Sequence, residues 1–190
     1  MPRIINKACV LAVFVASVSC KKTETKIQQK PTESVSLTDE KPVNKQQQLV
    51  YKEFSGAWFD IEYPANFKAE NSLKSSTSED GFDSALFTSP DGKVQFYVFS
   101  PQWSGNPADI KVKPGEKIIE ASQEKNNGVY VKRWTVAAND GSYSRSYEET
   151  SETLGSINKI FGIKYASKSD LESYRDEYLH FKNSLEQYAD

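Results

Sequence analysis

Histidine and cysteine are the scarcest chemistry-bearing residues of this 190-residue chain, with one His, His180, and two Cys, Cys9 and Cys20. A catalytic relay or a histidine-based metal centre needs ring nitrogens with partners, and a lone imidazole supplies none. His180 lies between Tyr178 and Phe181 in a helical pattern, so it reads as a half-exposed helix histidine rather than a base or a ligand. A Gly-rich phosphate loop is missing, as is any loop of alternating Asp and Asn closed by Glu. The acidic groups Glu79, Asp80 and Asp83, and Glu148, Glu149 and Glu152, therefore read as a solvated loop and a charge-protected sheet edge. No metal and no cofactor is expected. Charge of one sign is also lacking: 24 Lys and Arg stand against 26 Asp and Glu, a net of -2, which gives no basis for binding nucleic acid. Methionine is almost absent, at one residue, whereas there are 10 Phe, 10 Tyr and 3 Trp. Burial must rely on large rings, which favours a sheet-rich domain.

What is present at the N-terminus is a three-part pattern: the basic residues Arg3 and Lys7, a nine-residue apolar stretch over 8–16, and the small residues Ser17, Val18 and Ser19 before Cys20. That is the layout of an export signal, and it is shorter than the roughly 20 apolar residues that span a bilayer. "SVSC" resembles a bacterial lipobox, although Ser17 stands where Leu is usual. The resemblance implies cleavage after Ser19, a signal segment over 1–19, and lipidation of Cys20. More than one acyl chain would hold the mature protein durably at a membrane. Cys9 leaves with the signal, so the mature chain has a single cysteine and no internal disulfide.

Residues 20–50 are mostly Lys, Gln, Thr, Ser, Glu and Pro with isolated aliphatics. Such a composition buries too little apolar surface to offset chain entropy, and it is expected to serve as a disordered tether. Composition changes at Tyr51, and 51–190 reads as one globular α+β domain. Phe59, Ile61 and Tyr63 alternate with Asp60 and Glu62, the period of a half-buried strand that ends at Pro64. Asp91-Gly92 and Asp140-Gly141 each separate two apolar runs and predict hairpins. Val94, Phe96 and Val98 face one way and Tyr97 and Phe99 the other, which predicts a central strand covered on both sides. The run over 117–126 is ambiguous between strand and short helix. A terminal helix is predicted from Leu171, Tyr174, Tyr178, Phe181, Leu185 and Tyr188, opened by a Ser169/Glu172 capping box.

This order of elements resembles the PsbP/Mog1-like group, through the step Tyr63-Pro64-Ala65-Asn66-Phe67 and the helical ending Phe181 to Leu185. The resemblance covers about 51–190. It implies an antiparallel β-sheet with a packed C-terminal helix in an α/β/α sandwich, whose second helix would come from 106–125. Members are mostly accessory or binding proteins and share no catalytic residues, so none carries over.

The candidate binding surface is Trp103, at the end of a strand, with Tyr143, Arg145 and Tyr147, which alternate with serines and so share one strand face. The functional expectation is a non-enzymatic envelope lipoprotein, anchored to a membrane through Cys20, whose domain docks on an envelope protein. Lys21 stands where many lipoproteins retained at the inner membrane carry Asp, and this resemblance to Gram-negative sorting implies the outer membrane, facing the periplasm. The alternatives are a small-ligand or glycan-binding module with an aromatic pocket, and an envelope hydrolase using dispersed carboxylates.

Overall fold

A computed structural model describes residues 49–103, 105–152 and 158–188. The signal segment, Cys20 and the tether up to residue 48 lie outside the described residues. The elements in chain order are β1 (Tyr51–Ser55), β2 (Phe59–Pro64), β3 (Lys68–Asn71), β4 (Ser84–Thr88), β5 (Val94–Phe99), β6 (Glu116–Asn126), β7 (Val129–Ala138), β8 (Ser144–Glu152) and β9 (Asn158–Tyr165). Helices α1 (Lys168–Ser173) and α2 (Arg175–Asn183) and a short β10 (Glu186–Gln187) follow. Every strand pair is antiparallel. The large sheet has the order β3-β4-β5-β9-β8-β7-β6, and a small one has β1-β2-β10.

The turns explain the local order. Asp91 Oδ1 accepts from Ser89 Oγ and the Lys93 N–H, and Gly92 takes a positive φ, closing the β4–β5 hairpin. Asp140 Oδ1 accepts the Ser142 N–H and hydroxyl in the same way between β7 and β8. A third hairpin joins β6 to β7 through Asn127 and Gly128, both with positive φ, at 48° and 84°. Two consecutive positive φ values mark the turn type that matches strand twist and favours Asn-Gly. That pair settles the ambiguous run over 117–126 as strand.

The strand β5 is covered on both sides, as its two apolar parities require. On the helix face, Val94, Phe96 and Val98 join Ala85, Phe87, Phe161 and Ile163 in a core closed by Phe181 of α2 and by Phe59 and Ile61 of the small sheet. Phe87 meets Phe54 and Tyr63 at ring-centroid distances of 5.3 and 4.8 Å, which fastens the small sheet to this face. On the far face, Tyr97 and Phe99 pack with Tyr147, Ile160 and Ile110. Gly162 lies between them on β9. A methyl there would come within 2.6 Å of the Tyr147 ring, so this position leaves the ring its space.

Three expectations change. The C-terminal helix is two helices, α1 and α2, joined at Tyr174, and its N-cap is Ser167 rather than Ser169, with Ser167 Oγ accepting the Asp170 N–H. Tyr188 lies past the helix and is exposed. Among the described residues, helices cover only one face of the large sheet. The far face is covered by the irregular segment 105–113, and β6 occupies the second half of the span assigned to a second helix. The antiparallel sheet and packed C-terminal helix remain the architecture of the chain.

Candidate functional site

Alternation along β8 points Arg145 and Tyr147 to the far face, in register with Val136 and Trp134 on β7 and with Lys164 and Gly162 on β9. Tyr143, just before β8, lies in the same row. The segment 105–113 crosses that row. Arg145 and Tyr147 are consequently buried, at 5% and 8% exposure, and do not form a surface. This corrects the expected binding face: Arg145 and Tyr147 lie under a loop, and the half-buried Tyr143 joins Arg145 through Glu116.

The guanidinium of Arg145 is bonded on every nitrogen. Nε donates to Glu116 Oε1 at 3.0 Å, Nη1 to the Ile110 carbonyl and the Tyr147 hydroxyl at 2.9 Å each, and Nη2 to the Lys111 carbonyl at 2.8 Å and to Glu116 Oε2. The Tyr143 hydroxyl donates to Glu116 Oε1 at 2.7 Å, and the Lys113 N–H to Oε2 at 2.7 Å. Burial by itself would raise the Glu116 carboxyl, but the bonds from Arg145, Tyr143 and Lys113 outweigh it and bring it down to about 2. The ion pair is therefore fully charged at neutral pH. It straps residues 110–116 onto the sheet.

A second anchor lies beside it. Asp109 accepts from Ser72 Oγ at 2.6 Å, Ser84 Oγ at 2.9 Å and the Tyr97 hydroxyl at 2.9 Å. Burial first, and then the Asp109 charge, push the Tyr97 phenol upward, so it stays a donor. Between the two anchors is a polar cavity of about 110 Å³, whose lining includes Tyr97, Asp109, Glu116, Arg145 and Lys164. Glu116 and Arg145 are bonded to each other and Asp109 to three hydroxyls, so these groups act as fasteners of the loop, while Lys164 Nζ lies 4.1 Å from the Tyr143 ring centroid.

Trp103 is not part of this cluster. It is 52% exposed, on a separate groove of about 270 Å³ with Lys74, Thr77 and Pro101. Sequence reasoning passed over a larger groove of about 440 Å³ on the outer side of the strap, lined by Trp134, Ile110, Val112, Ile160, Lys132 and Glu149. Trp134 stacks on Tyr147 at 5.2 Å and 23°, and Lys132 Nζ lies 5.2 Å from the Trp134 ring centroid. Its place on the Tyr147 row follows from the β7–β8 register, which the Asp140-Gly141 turn makes readable.

The carboxylates are dispersed. Asp83 is buried, whereas Glu79 and Asp80 are exposed. Glu148 and Glu149 point to opposite faces of β8, and that strand lies between β7 and β9 rather than at an edge, which corrects the edge reading. Glu148 accepts from Arg133 Nε and Lys182 Nζ, both at 2.7 Å. His180 stacks on Tyr51 at 3.7 Å and 22°, and its Nε2 lies 2.6 Å from Glu62 Oε2. Among the described residues, no group of three or more His, Cys, Asp or Glu is placed to hold a metal ion.

No family model and no curated protein matches the chain. Among solved structures, cyanobacterial PsbP from Synechocystis is similar at 10% identity and a TM-score of 0.43, over 73% of this chain and 92% of that one. The Ran-binding protein Mog1p of Saccharomyces cerevisiae is similar at 8% identity and a TM-score of 0.38, over 74% and 97%. A protein from Bacteroides thetaiotaomicron is 19% identical with a TM-score of 0.32, over 73% of this chain and 49% of its own. PsbP and Mog1 are the group whose motifs the sequence resembles, and the likeness is one of fold alone.

Proposed function

We propose that the chain is an exported, lipid-anchored protein of a bacterial envelope whose folded part is a docking or accessory module for another protein, without catalysis of its own. The observation that carries the docking reading is a set of exposed aliphatic side chains around the turn at Lys113 to Glu116. Val112, in the segment that crosses the sheet, is 45% exposed, and Ile118 and Ile119, on the edge strand β6, are each 55% exposed. Exposed aliphatics grouped in this way mark contact surfaces more often than solvent-facing ones. Trp103 adds a second exposed anchor of the type that concentrates binding energy. The anchor at Cys20 rests on the sequence pattern before it, and Lys21 favours the outer membrane with the domain in the periplasm.

Crosslinking in living cells followed by mass spectrometry tests both parts. A stoichiometric protein partner is expected, with Cys20→Ser releasing the chain from membranes and thinning that partner's yield. Membrane attachment that survives Cys20→Ser would refute the anchor, and a crosslinked sample with no enriched protein would refute docking.

The Trp134 groove favours a second reading, a small-ligand or glycan module, because an indole wall beside Lys132 and Glu149 combines a stacking surface with polar groups. In a tryptophan-fluorescence screen of sugars and aromatic acids, this reading predicts an emission shift that disappears in Trp134→Phe. A flat response across all classes would exclude it.

A further inference from the structure

Strand β6 forms one edge of the seven-stranded sheet and has 11 residues, against 4 in β3 at the other edge. On an edge strand, alternate residues direct their N–H and C=O away from the sheet. Among the described residues, no backbone group of 117–126 bonds outside the β6–β7 hairpin. This long open edge is a template for another strand.

Its side chains specify which strand. The β6–β7 register puts Glu120, Ser122 and Glu124 on one face, opposite Thr135, Arg133 and Val131. Arg133 Nη1 donates to Glu124 Oε1 at 2.9 Å, while Glu120 has no ion pair among the described residues. Over 120–124 the outermost row on this face is acid, hydroxyl, acid, with the two carboxylates about 13 Å apart along an extended strand, and Lys117, opposite Ala137, continues the face across the irregularity. On the other face stand Ala121, Gln123 and Lys125, and Lys125 already lies over the Tyr130 ring at 4.6 Å. Ile118, exposed and opposite Val136, continues that face across the irregularity between Ile118 and Glu120.

We propose that β6 takes up an extended segment of a partner protein as an eighth strand, with Lys or Arg four residues apart meeting Glu124 and Glu120 and an aliphatic residue beside Ala121 and Ile118. A second copy of this chain paired antiparallel around Ser122 would set Glu120 against Glu124 twice, and like charges directly opposite repel, so that register is disfavoured. The assignment rests on the docking reading and names the surface and the class of partner.

The test uses the full chain and a synthetic peptide, Lys-Thr-Thr-Val-Lys-Val-Thr, followed by fluorescence anisotropy and amide hydrogen exchange. Added peptide is expected to protect amides of 117–126. The exposed double variant E120K/E124K should bind it about ten-fold more weakly, and a peptide with Glu at both Lys positions should regain the lost affinity for that variant. Absence of protection at β6 with millimolar peptide overturns the assignment, as does binding that ignores both charge reversals. Protection of 117–126 together with dimer mass before any peptide is added also overturns it, since the occupant would be a second copy. Cellular crosslinks to a partner that never fall within 117–126 would remove the strand assignment and leave docking intact. Recovery of no partner would remove docking itself.

Discussion

Arg145→Met is expected to lower stability at neutral pH by about 3–5 kcal/mol, because it leaves the Glu116 carboxylate buried without its guanidinium. The side chains of this pair are 6% and 3% exposed, so water cannot take over the lost bonds. The same change frees the Ile110 and Lys111 carbonyls and the Tyr147 hydroxyl, all bound by Arg145. Urea unfolding followed by tryptophan emission measures the loss. The double variant Glu116→Gln/Arg145→Met should recover a substantial part of it, since removing both charges abolishes the orphan. A single variant as stable as the parent would show that the strap contributes nothing.

This pair also sets a pH dependence. Glu116 titrates at about 2 in the folded chain against an ordinary 4.5, so the unfolded chain binds the proton more readily. Its contribution is fully present above pH 4.5, declines as pH falls, and is gone below about 2. The parent should therefore lose stability between those values more steeply than the double variant, which lacks the group.

Phe181→Ala is the second large effect, at about 3–5 kcal/mol. Phe181 is fully buried, with ring centroids 5.2 Å from both Phe87 and Phe96 and 6.0 Å from Phe161. It is the one fully buried residue of α2, and that helix has only nine residues, too few to be stable without its packing. Denaturant titration should show the loss, and hydrogen exchange should show α2 opening at lower cost than β5 or β9. Leu179→Ala, on the exposed side of the same helix, should stay within about 0.5 kcal/mol of the parent. If both substitutions cost the same, the Phe181 contacts do not hold the helix.

What the sequence made legible depended on periodicity. β5 declared its two covered faces because both parities are apolar, and the Leu171, Tyr174, Tyr178 and Phe181 stripe declared the helix face even though Tyr174 splits the helix in two. β6 is ambiguous by pattern because it is exposed on both faces and alternates toward nothing; its diagnostic is the Asn127-Gly128 turn that follows it. Tyr143, Arg145 and Tyr147 were placed on one face correctly. Their burial depends on the segment 105–113, which has no period of its own and reaches β8 from more than thirty residues away along the chain. Alternation says which residues share a face; only tertiary contacts say whether that face is wet.

The strand order has a kinetic corollary. β4 and β5 are joined by a short connection, as are β6, β7, β8 and β9, and β3 reaches β4 through residues 72–83, so each set forms a meander from near neighbours in the chain. Among the described residues, the strands of the two sets pair where Val94 through Phe99 meet Tyr165 through Ile160. Hairpins close within microseconds, whereas a seam between residues so far apart must first overcome the entropy of a long loop. Refolding is therefore expected to be limited by the meeting of the two halves, with the β5–β9 seam, at the centre of the finished sheet, the last part of it to assemble.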